Sequence, residues 1–212
     1  MIIAIDGTLA SGKGTIARRV AAWFGLAHMD TGRLYRATAV AALRLGVDFA
    51  DAAAMAEVAE RLDLADFDEA ELRTAEAGQA ASRAAAIPEV RAALLALQRA
   101  FAAQPGGAVL DGRDIGTVIC PDADVKLWID ADVRVRAGRR LKEHVAAGEA
   151  ATLEAVVAQL EERDARDRGR ADAPMAKAGD AVLIDTGPLT IDEAVERACG
   201  IIDAAMARKE TP

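Results

Sequence analysis

The chain has 212 residues, a formal net charge of −8, 52% apolar side chains and only 3% aromatic ones. That length carries one substantial core with at most small appended subdomains, and so much Ala, Val, Leu and Ile excludes a disordered chain and points to a helix-rich globular one. The acidic balance argues against general nucleic-acid binding, which needs a basic footprint, yet allows one small anion in a locally positive cleft.

In chain order, MIIAID is a short apolar run with β-branched residues and reads as a buried parallel strand. It is too short and too uncharged for a secretory signal. No apolar run approaches the about 20 residues of a membrane span, so a cytoplasmic location without a membrane partner is expected.

GTLASGKGT follows, from Gly7 to Thr15. It nearly fits G-x-x-x-x-G-K-[ST], in which glycines let backbone N–H groups converge on phosphate oxygens at a helix N-terminus. Gly7, Ala10, Ser11, Gly12, Lys13, Gly14 and Thr15 are therefore the expected binders of a phosphate donor, with Lys13 as its cation. Gly14 stands where the pattern has a hydroxyl, and Thr15 brings it one place late. That shift turns the hydroxyl by about 100° around the starting helix, and Gly14 lets something large approach the backbone.

A helix starts near Lys13, with Ile16, Ala17, Val20, Trp23 and Phe24 on one face. LAHMD is a second strand, with His28 near its end. Helical stretches follow over 33–45, 52–62, 76–85 and 88–102; Pro88 suits a first helical turn, where its missing N–H would be unpaired anyway. GAVLDG, DVKLWID and AVLID are further strands, separated by helices over 133–147 and 152–168 and followed by one over 191–209. Strands alternating with helices imply an α/β fold with a five-stranded parallel sheet flanked by helices, in one domain over 1–212. Two long helical excursions, 31–104 and 132–179, interrupt the strand rhythm. Excursions from the carboxyl end of such a sheet are where substrates are usually clasped.

Within LDGRDIG, residues Asp111, Arg113 and Asp114 emerge at the end of the third strand. Asp111 could hold a metal-bound water, and an ordinary turn is the alternative. Arg136, Arg139 and Arg140 share one helix face at i, i+3, i+4. Farther on, Leu153, Val156, Val157 and Leu160 define a buried stripe that continues into Arg163, Asp164 and Asp167, with Arg166 and Arg170 beside it. A core-facing stripe that turns charged should meet a polar cleft or a charged ligand, since unpaired buried charge is prohibitive. A solvated salt-bridge ladder is the alternative, and the phosphate loop favours the cleft. Arginine forks onto phosphate oxygens, so two arginine faces on one excursion suit a lid over phosphates.

The two cysteines, Cys120 and Cys199, form no CxxC pair and are expected to be reduced and semi-buried. His144 is expected on a solvated helix face. The two histidines, His28 and His144, share no metal-ligand spacing, and neither is assigned a catalytic role.

Taken together, IAIDGTLASGKGT, MDTGRLYRA, RAAAIPEVRAALLALQRAF, LDGRDIGTVICPDADVKLWIDAD and ERDARDRGRADAP resemble the bacterial-type cytidylate kinases, a nucleoside monophosphate kinase family of P-loop kinases. The resemblance covers nearly the whole chain, in order. It implies transfer of a phosphoryl group from ATP, with Mg²⁺, to CMP or dCMP. It makes 31–104 the nucleoside monophosphate-binding excursion and 132–179 an Arg-rich lid. Carried across, Thr31 and Arg36 belong to the acceptor site, Arg113 is a second phosphate clamp, and Asp114 with Ser82 and Arg91 reads cytosine. Arg163, Asp167 and Arg170 contact sugar and phosphate, Lys13, Arg113, Arg136, Arg139 and Arg163 neutralise charge, and Thr15 and Asp111 serve the metal. Cytosine fits this reader, because a carboxylate accepts from its N4 amino group and an arginine donates to N3 and O2. One departure stands out: where the family carries a small strand-rich insert, only ADFDEA remains, so the excursion is expected to be short and all helical. Another small-molecule P-loop kinase and a non-catalytic nucleotide-binding regulator are the competing readings. A monomer is expected, because no heptad seam or long apolar edge is evident.

Overall fold

The computed structural model describes residues 1–146 and 148–210. Strands β1 (Ile2–Gly7), β2 (Ala27–Asp30), β3 (Ala108–Gly112), β4 (Val125–Asp130) and β5 (Val182–Asp185) form one sheet in the order β2-β3-β1-β4-β5. All four pairings are parallel. A parallel strand covered on both faces must be apolar on both, and Ile3, Ala4 and Ile5 of β1 are all fully buried. Side chains alternate across the sheet. Ile3 and Ile5 meet α1 (Lys13–Phe24) and α9 (Ile191–Glu210) through Ile16, Val20 and Ile202, while Ala4 joins Leu110, Ile115 and Ile119 on the other face.

The α1 stripe is Ile16, Ala17, Val20 and Ala21, with Phe24 partly covered. Trp23, expected on that face, is 70% exposed. At 100° per residue the stripe through 16, 17, 20, 21 and 24 leaves position 23 about 90° from its centre.

The first excursion is helical throughout its regular structure: α2 (Thr31–Leu45), α3 (Ala52–Glu60), a 3-10 turn (Leu64–Asp66), α4 (Glu69–Leu72), α5 (Ala75–Ala84) and α6 (Pro88–Ala102). It has its own core, in which Leu34 and Met55 pack with Ala80, Ala84, Val90 and Leu94. The two short pieces at 64–66 and 69–72 leave no periodic signal in the sequence, because three or four residues carry no period. Arg44 holds them in place, bonding Glu71 through Nε at 3.1 Å and lying 4.8 Å over the Phe67 ring.

In the second excursion α7 (Val133–Ala146) packs on α8 (Leu153–Arg168) through Ala137, Val156 and Leu160. The last residue of the helix expected over 133–147 lies outside the described residues. His144 is not solvated as expected: its side chain is only 11% exposed and meets Glu149. Cys120 and Cys199 are free and buried. Among the described residues no helix is long and apolar enough to cross a membrane.

Candidate active site

The Gly7–Thr15 segment leaves the end of β1 and winds into α1. Gly7 is required there, because a Cβ would sit 1.9 Å from the Ile129 carbonyl oxygen. Ala10 and Gly12 take positive φ of 61° and 90°, and such left-handed steps turn successive N–H groups toward a common anion site. The loop's own carbonyls are held from behind. Arg136 donates to Leu9 O at 3.1 Å, and Arg139 and Thr186 donate to Ser11 O at 3.3 and 2.8 Å. Thr8 adds a bond to Asp130 Oδ1 at 2.6 Å. Arg136 is further locked by Asp164 at 2.8 Å, and Arg139 by Thr186 O at 2.6 Å. These two arginines were expected over the phosphates. They instead back the loop and do not line the cavity in front of it. Arg140, on the same face, pairs with Glu143 at 2.7 Å. Helical spacing identifies a shared face but not what it faces.

The cavity opens in front of Lys13 and Gly14, at the carboxyl ends of the strands. Thr31, Arg36, Ser82, Arg91, Asp111, Arg113, Asp114, Arg163, Asp167 and Arg170 all line it. Thr15 is exposed in the first turn of α1 and lies outside this lining. On the floor, Asp111 Oδ2 is 4.0 Å from Lys13 Nζ, and Thr31 Oγ1 donates to Asp111 O at 2.8 Å. A Cβ on Gly14 would stand 3.7 Å from Asp111 Oδ2, an ordinary contact, so glycine here keeps the space above the carboxylate clear.

Arginines and carboxylates pair around the walls. Arg36 holds Asp30 at 2.7 Å, and Arg113 and Arg170 hold Asp167 at 3.1 and 3.3 Å. Arg91 bonds Asp114 and lies 5.7 Å over the Tyr35 ring. Ser82 accepts from Arg166 at 3.1 Å, so α8 reaches α5 across the cavity. Several donors have no partner: Arg36 Nε, Arg91 Nη1 and Arg163 Nε are buried without a hydrogen bond. Buried unpaired donors are costly, and here they gather in one cavity, where an anionic, acceptor-rich ligand would satisfy them.

The charge balance follows from burial. Desolvation, with Arg113 nearby, pulls Lys13 down to about 8 despite Asp111. Desolvation and Arg113 likewise lower Arg163 to about 10. Burial works to raise Asp167, but Arg113, Arg170 and Arg163 together overcome it and hold its carboxyl below the usual range. Burial raises Asp114 against the pull of Arg91 and Arg170.

Asp30, Tyr35, His28 and Asp6 were given no role by the sequence. Asp30 and Tyr35 lie within MDTGRLYRA and line the cavity, so the motif itself was the available signal. Asp6 accepts from Ile115 N and Gly116 N, each at 2.8 Å. It thereby holds the π-helical turn (Ile115–Ile119) that follows Asp114. Burial raises Asp6 from 3.8 to about 7, against those two hydrogen bonds. Its stabilising contribution is complete below the unfolded value and is lost as pH rises through the folded one. Relative to an Asp6→Asn variant, which cannot titrate there, the wild type should gain stability on the order of 1 kcal/mol between about pH 8 and pH 6. Urea midpoints of both proteins at the two pH values check this.

A backed phosphate loop facing one arginine-lined cavity defines the class of the molecule: a P-loop phosphotransferase. The chain belongs to the cytidylate kinase family, whose family model, described as "Cytidylate kinase", matches residues 3–204. It is 53% identical over 210 residues to a cytidylate kinase from Bradyrhizobium sp., covering 99% of both chains. A cytidylate kinase from Xanthobacter autotrophicus is 56% identical over 207 residues, 98% of this chain and 99% of that one. The fold is similar to the crystal structure of an uncharacterized protein from Eubacterium ventriosum, with a TM-score of 0.58 at 16% identity over 96% of this chain and 99% of that one.

Proposed function

We propose that this protein transfers the γ-phosphoryl group of ATP to CMP or dCMP, giving CDP or dCDP and ADP. The observation that carries the reading is the joining, in one cavity, of the buried Arg91–Asp114 pair with phosphate-seeking arginines whose donors lack partners. Asp114 accepts from cytosine N4, and Arg91 donates toward N3 and O2, with Ser82 beside them. Arg36 and Arg113 grip the acceptor phosphate, and Arg163, Asp167 and Arg170 meet sugar and phosphate. The excursion over 31–104 holds the acceptor, and the one over 132–179 closes as a lid. The acceptor oxygen is already anionic, so alignment and charge neutralisation suffice. Lys13 and Arg163 supply that charge, while Arg136 and Arg139 act by holding the loop. The protein works in this reading as a cytoplasmic monomer, with no nucleic acid or membrane partner.

Mg²⁺ accompanies ATP. Among the described residues no three His, Cys, Asp or Glu gather into a cage, and the buried Asp111 carboxylate lies beside the loop. That donor set suits an ion held chiefly by phosphates and water with one or two protein oxygens. Asp111 and Thr15 would hold it, and when bound it neutralises charge on the phosphates.

Coupled ADP-release assays with CMP, dCMP, UMP and AMP test the proposal: turnover highest with AMP overturns the base assignment. Turnover only with non-nucleotide acceptors favours another small-molecule kinase. CMP and ATP binding without turnover favours a regulator.

ATP binding should also take up protons. Free Lys13 sits at about 8, and phosphates placed beside it favour its charged form. Affinity for ATP is therefore expected to weaken above that pH by up to about tenfold per pH unit. Calorimetry at pH 8 in buffers of different ionisation heat should show the uptake, and Lys13→Ala should abolish it.

A further inference from the structure

We infer that His28 is a positioning residue for phosphoryl transfer: its bond to Oδ1 of Asp111 fixes that carboxylate so that Oδ2 faces Lys13 and the phosphate loop. The inference deepens the proposed function and rests on its assignment of Asp111 to the metal and phosphate side of the cavity.

The register of the sheet creates the contact. In the β2–β3 pairing His28 stands opposite Val109, and Asp30 opposite Asp111. Alternate residues share a face, so His28, Asp30 and Asp111 point to the same side. His28 stands two residues behind the Asp30–Asp111 pair, about 7 Å along the strand. An imidazole spans that gap, and its Nε2 lies 2.8 Å from Asp111 Oδ1. A serine at 28 would be too short.

The bond has a directional consequence. A carboxylate's last torsion is broad, so an unheld Asp111 would turn about its Cβ–Cγ bond and carry the oxygen that faces Lys13 out of line. An ionised carboxylate accepts only, which makes His28 the donor through Nε2–H. With Oδ1 taken, the other oxygen is presented 4.0 Å from Lys13 Nζ and 3.7 Å from where a Gly14 Cβ would be. Thr31 Oγ1 pins the same residue through its main-chain oxygen at 2.8 Å. The Asp111 side chain is 3% exposed and that of His28 18%, so solvent does not supply a substitute donor freely. Groups that orient a ligating carboxylate typically change metal affinity or activity by about 10- to 100-fold when lost.

The test compares His28→Leu, which cannot donate, with His28→Gln, which can reach Asp111 with an amide N–H. Two readouts are taken: steady-state kinetics, and binding of Mn²⁺ to the enzyme–ATP mixture without CMP, read as free Mn²⁺ by electron paramagnetic resonance. His28→Leu should lower kcat and weaken Mn²⁺–ATP binding about tenfold each, leaving the KM for CMP within about twofold. His28→Gln should recover both to within about threefold. If His28→Leu does not fold, His28→Ser replaces it. Unchanged kcat and Mn²⁺ binding in His28→Leu overturns the inference, as does a Gln variant no better than Leu or a loss confined to the KM for CMP. A wild type without CMP turnover would sink the proposed function instead, and the Mn²⁺ measurement would still decide the role of His28.

Discussion

Replacing Lys13 with Ala should lower kcat about 100- to 1,000-fold, the loss typical of removing one preorganised charge-stabilising donor. Lys13 is the cation at the mouth of the loop, with its side chain 14% exposed. The loop's shape does not depend on it, because Leu9 O and Ser11 O are held by Arg136, Arg139 and Thr186. ATP should therefore still bind through the backbone N–H groups, and the defect should fall on kcat more than on KM. Burial already disfavours the charged lysine, so the variant's Tm should not fall. Kinetics, calorimetry with ATP and thermal unfolding check the three parts. Near-normal turnover would remove Lys13 from the mechanism.

The second large effect concerns the base. Asp114→Asn should reduce kcat/KM for CMP up to about 100-fold, since a matched pair of hydrogen bonds is worth about 1–3 kcal/mol of discrimination. The amide can donate where the carboxylate only accepts. Uracil carries a carbonyl where cytosine has its amino group, so the ratio of CMP to UMP activity should shrink. Breaking the buried pair with Arg91 also destabilises the protein, typically by about 3–5 kcal/mol. The CMP/UMP ratio is internal to one variant, so loss of folded protein cancels from it. An unchanged ratio would show that Asp114 does not read the base.

How much of this was legible depended on distance along the chain. The strand, the glycine turn and the helix of GTLASGKGT are contiguous, and the order of residues specifies them. The charged end of α8 was legible because a helical period extrapolates: Asp164 and Asp167 are buried as the stripe required, each beside arginine. The same extrapolation failed at Trp23, where one step of three residues leaves the stripe. It also failed at Arg136 and Arg139, whose partners are carbonyls of a loop more than 120 residues earlier. His28 and Asp111 are 83 residues apart, and only the parallel register of β2 on β3 makes them neighbours. Periodicity describes a face, and pairing between distant strands decides what that face meets.

The backing of the loop has a consequence for the order in which the protein can be made. GTLASGKGT emerges well before Thr186 does, and chains fold as they emerge. Yet its strand sits between β3 and β4, and Ser11 is moored by Thr186, 175 positions later. The loop thus leaves the ribosome long before its anchor at Thr186 and is completed late. A nucleotide that binds the finished loop therefore stabilises a nearly complete protein.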